Sequence, residues 1–268
     1  MTEELRPDEF QRALPLYRAA GARFPLISAV LRRSQRGRVF ADAPAAPRAA
    51  FVVNGFGFAC LLGGPAEEFD EGLGRLLAAP GALGTSYLLW YAPPEAWQAR
   101  LDRLGPDRVR RRVRVRFEFL GDRAGWSREP EAPPPGFELR RLTPELLPAT
   151  EKFGLDLASR FWSSAEDFAA NSLGVCLTAG GEVASLCYAA AVADGLAEVD
   201  VATQAEYRGR GLAGFVTREF IRGCLRRGVA PTWDCFDYNA GSLRLAEGLG
   251  FAELRRYPFY SFNVPAAV

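Results

Sequence analysis

The chain has 268 residues, with 33 basic and 32 acidic side chains, a formal net charge of +1 and no histidine. At 49% hydrophobic and 24% charged residues it reads as one large or two modest globular domains with buried cores, and its balanced charge offers no attraction to nucleic acid or an anionic membrane. The absent histidine excludes Ser-His-Asp and Cys-His triads, histidine bases and ordinary zinc sites, so proton chemistry falls to carboxylates, tyrosine, cysteine or water, with no metal.

The opening MTEELRPDEF is charged and lacks the apolar core of a signal peptide. No apolar run approaches the roughly 18 residues of a membrane helix. Cys60, Cys176, Cys187, Cys224 and Cys235 never form C-x-x-C, which reads as reduced, buried thiols in a cytoplasmic protein.

The N-terminal part begins with helical sequence to about Arg36. RGRVFADA and AAFVVNGFGFACLLGG follow as paired strands, then a helix (EEFDEGLGRLLAA), a strand (SYLLWYAPP), a helix (EAWQARLDRLG) and a strand, RVRRRVRVRFEFL (Arg108 to Leu120). The last alternates arginine with valine, as a strand with one solvated face does, and few aromatics interleave with the arginines to suggest nucleic acid. The proline run in REPEAPPPGFELR favours extended backbone and marks a boundary. It gives a domain at 1–127, a linker at 128–136 and a second domain at 137–268.

The second part reads as α/β. FELRRLT is a strand, with helical segments at PELLPATEKFG and SAEDFAANS, then a hairpin turning at Gly180-Gly181. In LAEVDVAT, Val199, Val201 and Thr203 share one face, and Glu198, Asp200 and Ala202 the other. GLAGFVTREFIRGCLRRG places Leu212, Phe215, Val216, Phe220, Ile221, Cys224 and Leu225 on one helical stripe, with Arg222, Arg226 and Arg227 towards its negative end and Gly228 at its C-cap. PTWDCFDY is a strand, AGSLRLAEGLG a helix and FAELRRYPFYSF the last strand. Strand–helix–strand–helix–strand recurs in both parts, so the expected fold is a mixed α/β sheet whose N-terminal half is a degenerate copy of the C-terminal one.

Between these elements lies EYRGRGLAG, Glu206 to Gly214. A strand running through a glycine turn into a helix aims backbone N–H groups at one point, where the helix dipole favours an anion. Glycine allows the close approach that a side chain would block. Read as G-x-G-x-x-G, the turn suggests a dinucleotide, and Asp234 lies about 20 residues on, where a ribose-binding acid is expected. Against this, Gln204 to Arg208 separate the strand from the first glycine, and the remaining chain is too short for a nucleotide-binding half.

The stretch EVDVATQAEYRGRGLAGFVTREFIRGCLRRG resembles the acyl-CoA-binding core of the GNAT superfamily of N-acetyltransferases, and YNAGSLRLAEGLGF resembles its following segment. PTWDCFDYNAGS together with the upstream Phe161, Trp162, Glu166, Asp167 and Phe168 is similar to a bacterial subgroup that includes a zwittermicin A resistance acetyltransferase. The resemblance spans roughly residues 137 to 262. It implies a GNAT-like fold there and acetyl-CoA as donor to a small-molecule amine, by direct transfer in a ternary complex. It implies that the turn Arg208, Gly209, Arg210, Gly211, Leu212, Ala213 holds the CoA pyrophosphate. Val201, Ala202 and Thr203 would lie along the pantetheine arm, the strand around Val199 to Thr203 splaying from that around Thr232 to Phe236, with Asn239 and Ser242 also near the cofactor. Asn239 equally suits a helix N-cap.

Glu198 and Asp200 are the candidate bases, since both face the same side of the strand that would flank the thioester. The resemblance departs at Ala246, where many members carry a tyrosine acid; Tyr238, Cys235 or water are the substitutes. Trp162 and Glu166 fall in the segment that covers the acceptor site in such folds. The N-terminal half is expected to wall the acceptor site or to support a homodimer. Two other readings stay open at this stage: a non-catalytic acyl-CoA-binding sensor or assembly module, and an NAD-binding oxidoreductase.

Overall fold

The structure, a computed structural model, describes residues 2–21, 23–121, 126, 132–154 and 156–265. It divides into two compact units: Met1–Arg114 with Tyr257–Val268, and Val115–Arg256. Both boundaries fall inside strands, whereas the proline-rich 128–136 lies within the span of the second unit and, at 128–131, outside the described residues.

In the first unit, β1 (Glu3–Glu4), β2 (Gly37–Ala41), β3 (Ala49–Asn54), β4 (Phe58–Gly63) and β5 (Tyr87–Tyr91) follow one another in the sheet. The β3–β4 hairpin is tight because the Asn54 Oδ1 accepts from the backbone N–H groups of Phe56, Gly57 and Phe58. β4 pairs parallel with β5, which requires a crossover, supplied by helix α3 (Glu67–Ala78). The C-terminal part of β12 (Phe251–Asn263) then pairs antiparallel with β5, Phe259 opposite Tyr91. Short helices α1 (Leu14–Ala19), α2 (Pro25–Leu31) and α4 (Glu95–Asp102) complete the unit. Its apolar core includes Phe51, Phe69, Leu73, Trp90, Trp97 and Tyr260.

The second unit runs, across its sheet, β7 (Glu138–Arg141), β8 (Val175–Ala179), β9 (Glu182–Ala193), β10 (Leu196–Thr203), β11 (Ala230–Phe236), β6 (Val109–Phe119, through its Val115–Phe119 part) and the Phe251–Arg256 part of β12. β7 to β10 form an antiparallel meander, and the expected hairpin turns at Gly180 and Gly181, both at positive φ. PELLPATEKFG forms two 3₁₀ segments, Pro144–Leu146 and Pro148–Phe153, rather than α-helix; Pro148 has no N–H to donate to the Pro144 carbonyl four residues earlier, which interrupts a continuous ladder. Helices α5 (Leu157–Phe161) and α6 (Ala165–Asn171) follow, each capped by a side chain, Asp156 and Ser164.

Helix α7 (Leu212–Arg226) is the crossover from β10 to the parallel β11. It buries Leu212, Phe215, Val216, Phe220, Ile221 and Cys224, the stripe expected of its period. Helix α8 (Ala240–Gly248) joins β11 to β12. Strand alternation puts Val115, Phe117, Trp233 and Cys235 into one apolar cluster with Ile221 and Ala246. Arg116 and Asp234 therefore point to the opposite face. All five cysteines are buried; burial pushes the Cys176 thiol up to about 11 and that of Cys224 up to about 12. Among the described residues, no helix is long and apolar enough to cross a membrane.

Candidate functional site

The glycine turn is built by the chain leaving β10. After Thr203 come a 3₁₀ turn, Ala205–Tyr207, and Arg208 to Gly211, with Gly209 at φ 76° and Gly211 at φ 75°. Both values lie in the left-handed region that favours glycine. Gly211 is the N-cap of α7 and carries no side-chain cap, so the first N–H groups of the helix need another acceptor. A Cβ at either glycine would meet nothing within 4 Å, which shows that the turn is open on that side. The arginines fold back on the turn: Arg208 Nε donates to the Thr203 carbonyl at 3.2 Å and Arg210 Nη2 to the Glu206 carbonyl at 3.4 Å. Their charge and the helix dipole reinforce one another as an anion site. Beside it, a cavity of about 470 Å³ is lined by Val201 to Glu206, Arg208, Lys152 and Phe153.

The neighbouring strands part. β10 and β11 pair at Leu196–Ala230, Ala197–Pro231 and Glu198–Thr232 and no further, while β10 stays paired with β9 as far as Thr203–Ser185. The register on the β9 side shifts between Glu198 and Val199, where Ala190 is the extra residue. Val199 to Thr203 therefore have a strand on one side and a gap on the other.

At the parting point sits a buried ion cluster. Arg116 Nη1 donates to both carboxylate oxygens of Glu198, at 2.8 and 2.7 Å. Its Nε lies 3.3 Å from Asp234 Oδ2, and neither Arg116 nor Asp234 exposes any side-chain surface. Thr232 Oγ1, 3.5 Å from the same Nη1, donates to the Phe117 carbonyl. Glu198, a candidate base from sequence, is thus held by an arginine. Asp234 lies in this cluster, not at an open strand end where a ribose could reach it, so the nicotinamide reading is not favoured.

Asp200, two residues along the same face, is more open, with 30% of its side chain exposed. It accepts a 2.8 Å bond from the Tyr188 hydroxyl and lies 3.6 Å from Arg160 Nη1 on α5. Burial, and then the charge of Asp200, hold the Tyr188 phenol well above its ordinary value, so it stays a neutral donor. Phe168 packs at a tilt on Tyr188, and Trp162 packs edge to face on Phe168.

The remaining sequence candidates scatter. Tyr238 is exposed and stacks on Phe236, ring centroids 5.1 Å apart. Cys235 is buried in the apolar cluster together with Ala246, on the face away from Glu198 and Asp200. Asn239 caps α8, its side chain accepting from the Ser242 N–H at 3.1 Å, and Ser242 Oγ accepts from Trp233 Nε1 at 2.9 Å. Trp162 is buried, while Glu166 is exposed in the first turn of α6, held below the usual carboxylate range by its own backbone N–H and by Ser164. Arg116, Tyr188, Arg160 and the burial of Asp234 escape the sequence reading. The one available signal is that Arg116 lies between Val115 and Phe117, where the strand turns apolar.

The strand that leaves its parallel partner beside an open glycine turn is the arrangement that the GNAT resemblance implies. A family model described as GNAT acetyltransferase matches residues 20–260, and the chain belongs to that family. It is 34% identical over 127 residues to an uncharacterized N-acetyltransferase, YdfB, from Bacillus subtilis (strain 168). That match takes in 47% of this chain and 49% of the relative, so the chain spans about half the length of the relative it matches. A GCN5-related N-acetyltransferase-like protein from Streptococcus suis 89/1591 superposes with a TM-score of 0.75 at 23% identity, covering 95% of this chain and 98% of that one. A tandem GNAT protein from the clavulanic acid biosynthesis pathway, solved without AcCoA, has a TM-score of 0.62 at 14% identity and covers both chains completely, 100% of each. At these identities the likeness shows the fold, a mixed α/β sheet over the full chain.

Proposed function

We propose that the protein is an N-acetyltransferase that moves the acetyl group of acetyl-CoA onto a primary amine of a small molecule, directly within a ternary complex. The observation that carries this reading is the end of β10–β11 pairing at Glu198–Thr232 beside the open turn at Arg208 to Ala213. The chain's residues fit the donor. The uncapped N–H groups after Gly211, with Arg208 and Arg210, suit a pyrophosphate, and the unpaired edge of Val201, Ala202 and Thr203 suits an amide-bearing arm. The resemblance implies that Asn239 and Ser242 lie near the cofactor, but their side chains already serve the α8 cap and Trp233.

Bound acetyl-CoA supplies a thioester-activated acetyl group, leaving as the free thiol once the N-acetyl product forms. The chain supplies orientation, carbonyl polarisation and proton transfer. Backbone N–H groups where the strands part polarise the carbonyl. Asp200, open and fixed by Tyr188, takes the amine's proton directly or through water, with Glu198 beside it. Tyr238 or water returns a proton to the thiolate; Cys235 is too deeply packed for that role. Trp162 and Glu166 belong to the segment over the acceptor. A degenerate GNAT-like copy in the N-terminal half, a homodimer and an aminopolyol acceptor, as the zwittermicin A likeness suggests, are finer parts of the same proposal.

The test is a screen of aminopolyols, polyamines and amino acids for amine-dependent release of CoA thiol. Turnover with one class and mass-detected N-acetyl product supports the reading. Acetyl-CoA binding with no turnover on any amine would favour a sensor or assembly module instead.

A further inference from the structure

A buried ion cluster is weak evidence for stability, because well-packed apolar residues of similar volume are often as stable or more so. Arg116 with Glu198 and Asp234 therefore calls for another reason, and its place supplies one. Glu198 is the last β10 residue paired with β11, and one Arg116 nitrogen bonds both of its carboxylate oxygens. A charged donor shared in this way favours the ionised carboxylate and holds its two oxygens towards the guanidinium. The strand that brings Arg116, Val115–Phe119, precedes every signature residue in the sequence, yet belongs to the same compact unit as β10 and β11.

We propose that Arg116 is a positioning residue of the acyl-transfer site, holding the Glu198 carboxylate ionised and oriented so that Glu198 and Asp200 present a preformed anionic wall to the acceptor ammonium. The proposal rests on the acyl-transfer reading above. Besides Arg116 from β6, the groups on this face are Thr232 and Asp234 from β11, Asp200 on β10 itself, Tyr188 from β9 and Arg160 from α5. Arg116 lies between Glu198 and Asp234 and contacts both carboxylates. Lysine cannot replace this arginine fully, since one ammonium does not span two carboxylates as a planar fork does.

The experiment compares full-length Arg116→Lys and Glu198→Gln with wild type and with Arg110→Lys, an exposed position on the same strand. Acetyl-CoA affinity is measured by calorimetry, and kcat/KM is followed against pH with an accepted amine. Both site variants should keep acetyl-CoA affinity within about threefold while losing about tenfold or more in kcat/KM. In Arg116→Lys the weaker cationic hold raises the carboxylate's proton affinity, so the acidic limb should move to higher pH by about one unit. Arg110→Lys should match wild type. An Arg116→Lys protein with wild-type rate and pH profile would overturn the positioning role and leave the acyl-transfer reading standing. Wild type that binds no acetyl-CoA would sink that reading, and the positioning role with it. Glu198→Gln, nearly the same shape, keeps the comparison decisive should the lysine variant fold poorly.

Discussion

Arg116 and Glu198, 82 residues apart in sequence, share one guanidinium nitrogen between two carboxylate oxygens, with the arginine side chain entirely buried. Removing only the cation leaves two buried carboxylates facing each other. Arg116→Ala should therefore cost about 3–5 kcal/mol of folding stability, read from the denaturant midpoint at an unchanged slope. Replacing the whole cluster with Arg116→Met, Glu198→Leu and Asp234→Leu should cost much less. An alanine variant as stable as wild type would mean the charges are not desolvated as described.

Asp200 is the more exposed carboxylate of its face and is oriented by Tyr188. Asp200→Asn keeps the shape and removes the base, so kcat should fall by about 10²–10⁴-fold while acetyl-CoA affinity holds. Steady-state kinetics beside calorimetry separates the two. Unchanged kcat would pass the base role to Glu198 or to water alone.

Gly211 holds φ 75° at the start of α7 with open space beside it. Gly211→Ala should cost about 1–2 kcal/mol of stability through backbone strain and leave acetyl-CoA binding measurable. Gly211→Glu adds bulk and negative charge where the pyrophosphate would sit, and binding should vanish at similar stability. Normal binding by the glutamate variant would remove the turn from the pocket.

In the first unit, burial and then the Asp102 hydrogen bond push the Tyr260 phenol up from 10 to about 12. The folded state thus keeps the phenol proton more tightly than the unfolded chain does. Stability from this source is intact below pH 10 and is lost as pH rises from there through about 12. Ultraviolet titration should show Tyr260 ionising late alongside the buried Tyr188, with one late-ionising tyrosine fewer in Tyr260→Phe, and that variant should lose less stability over the same alkaline range. An early, ordinary titration of every tyrosine would contradict the pairing.

Most strands and helices are legible in the sequence because period and punctuation agree: the α7 stripe, the Gly180-Gly181 hairpin and the Asn239 cap follow from local chemistry. The glycine turn is legible for the same reason, since two left-handed positions need glycine wherever the chain goes. The ion cluster is not. RVRRRVRVR alternates as a solvated strand would, and only the apolar neighbours Val115 and Phe117 set Arg116 apart from Arg110 or Arg112 before tertiary pairing sets it beside β11. Glu198 and Asp200 look equivalent in LAEVDVAT, yet one is bound to a guanidinium and the other to a phenol, because their partners come from β6 and β9. The unit boundaries inside β6 and β12 are hidden likewise, as both strands are continuous in pattern while the proline run offers the stronger local break.

The central claim is that the Arg208 to Ala213 turn and the parted strands seat acetyl-CoA. Calorimetric titration of acetyl-CoA into the full-length protein, with NAD in parallel, tests it most directly. The account predicts saturable binding in the micromolar range for acetyl-CoA and none for NAD. Binding of NAD alone, or of neither ligand, would contradict it.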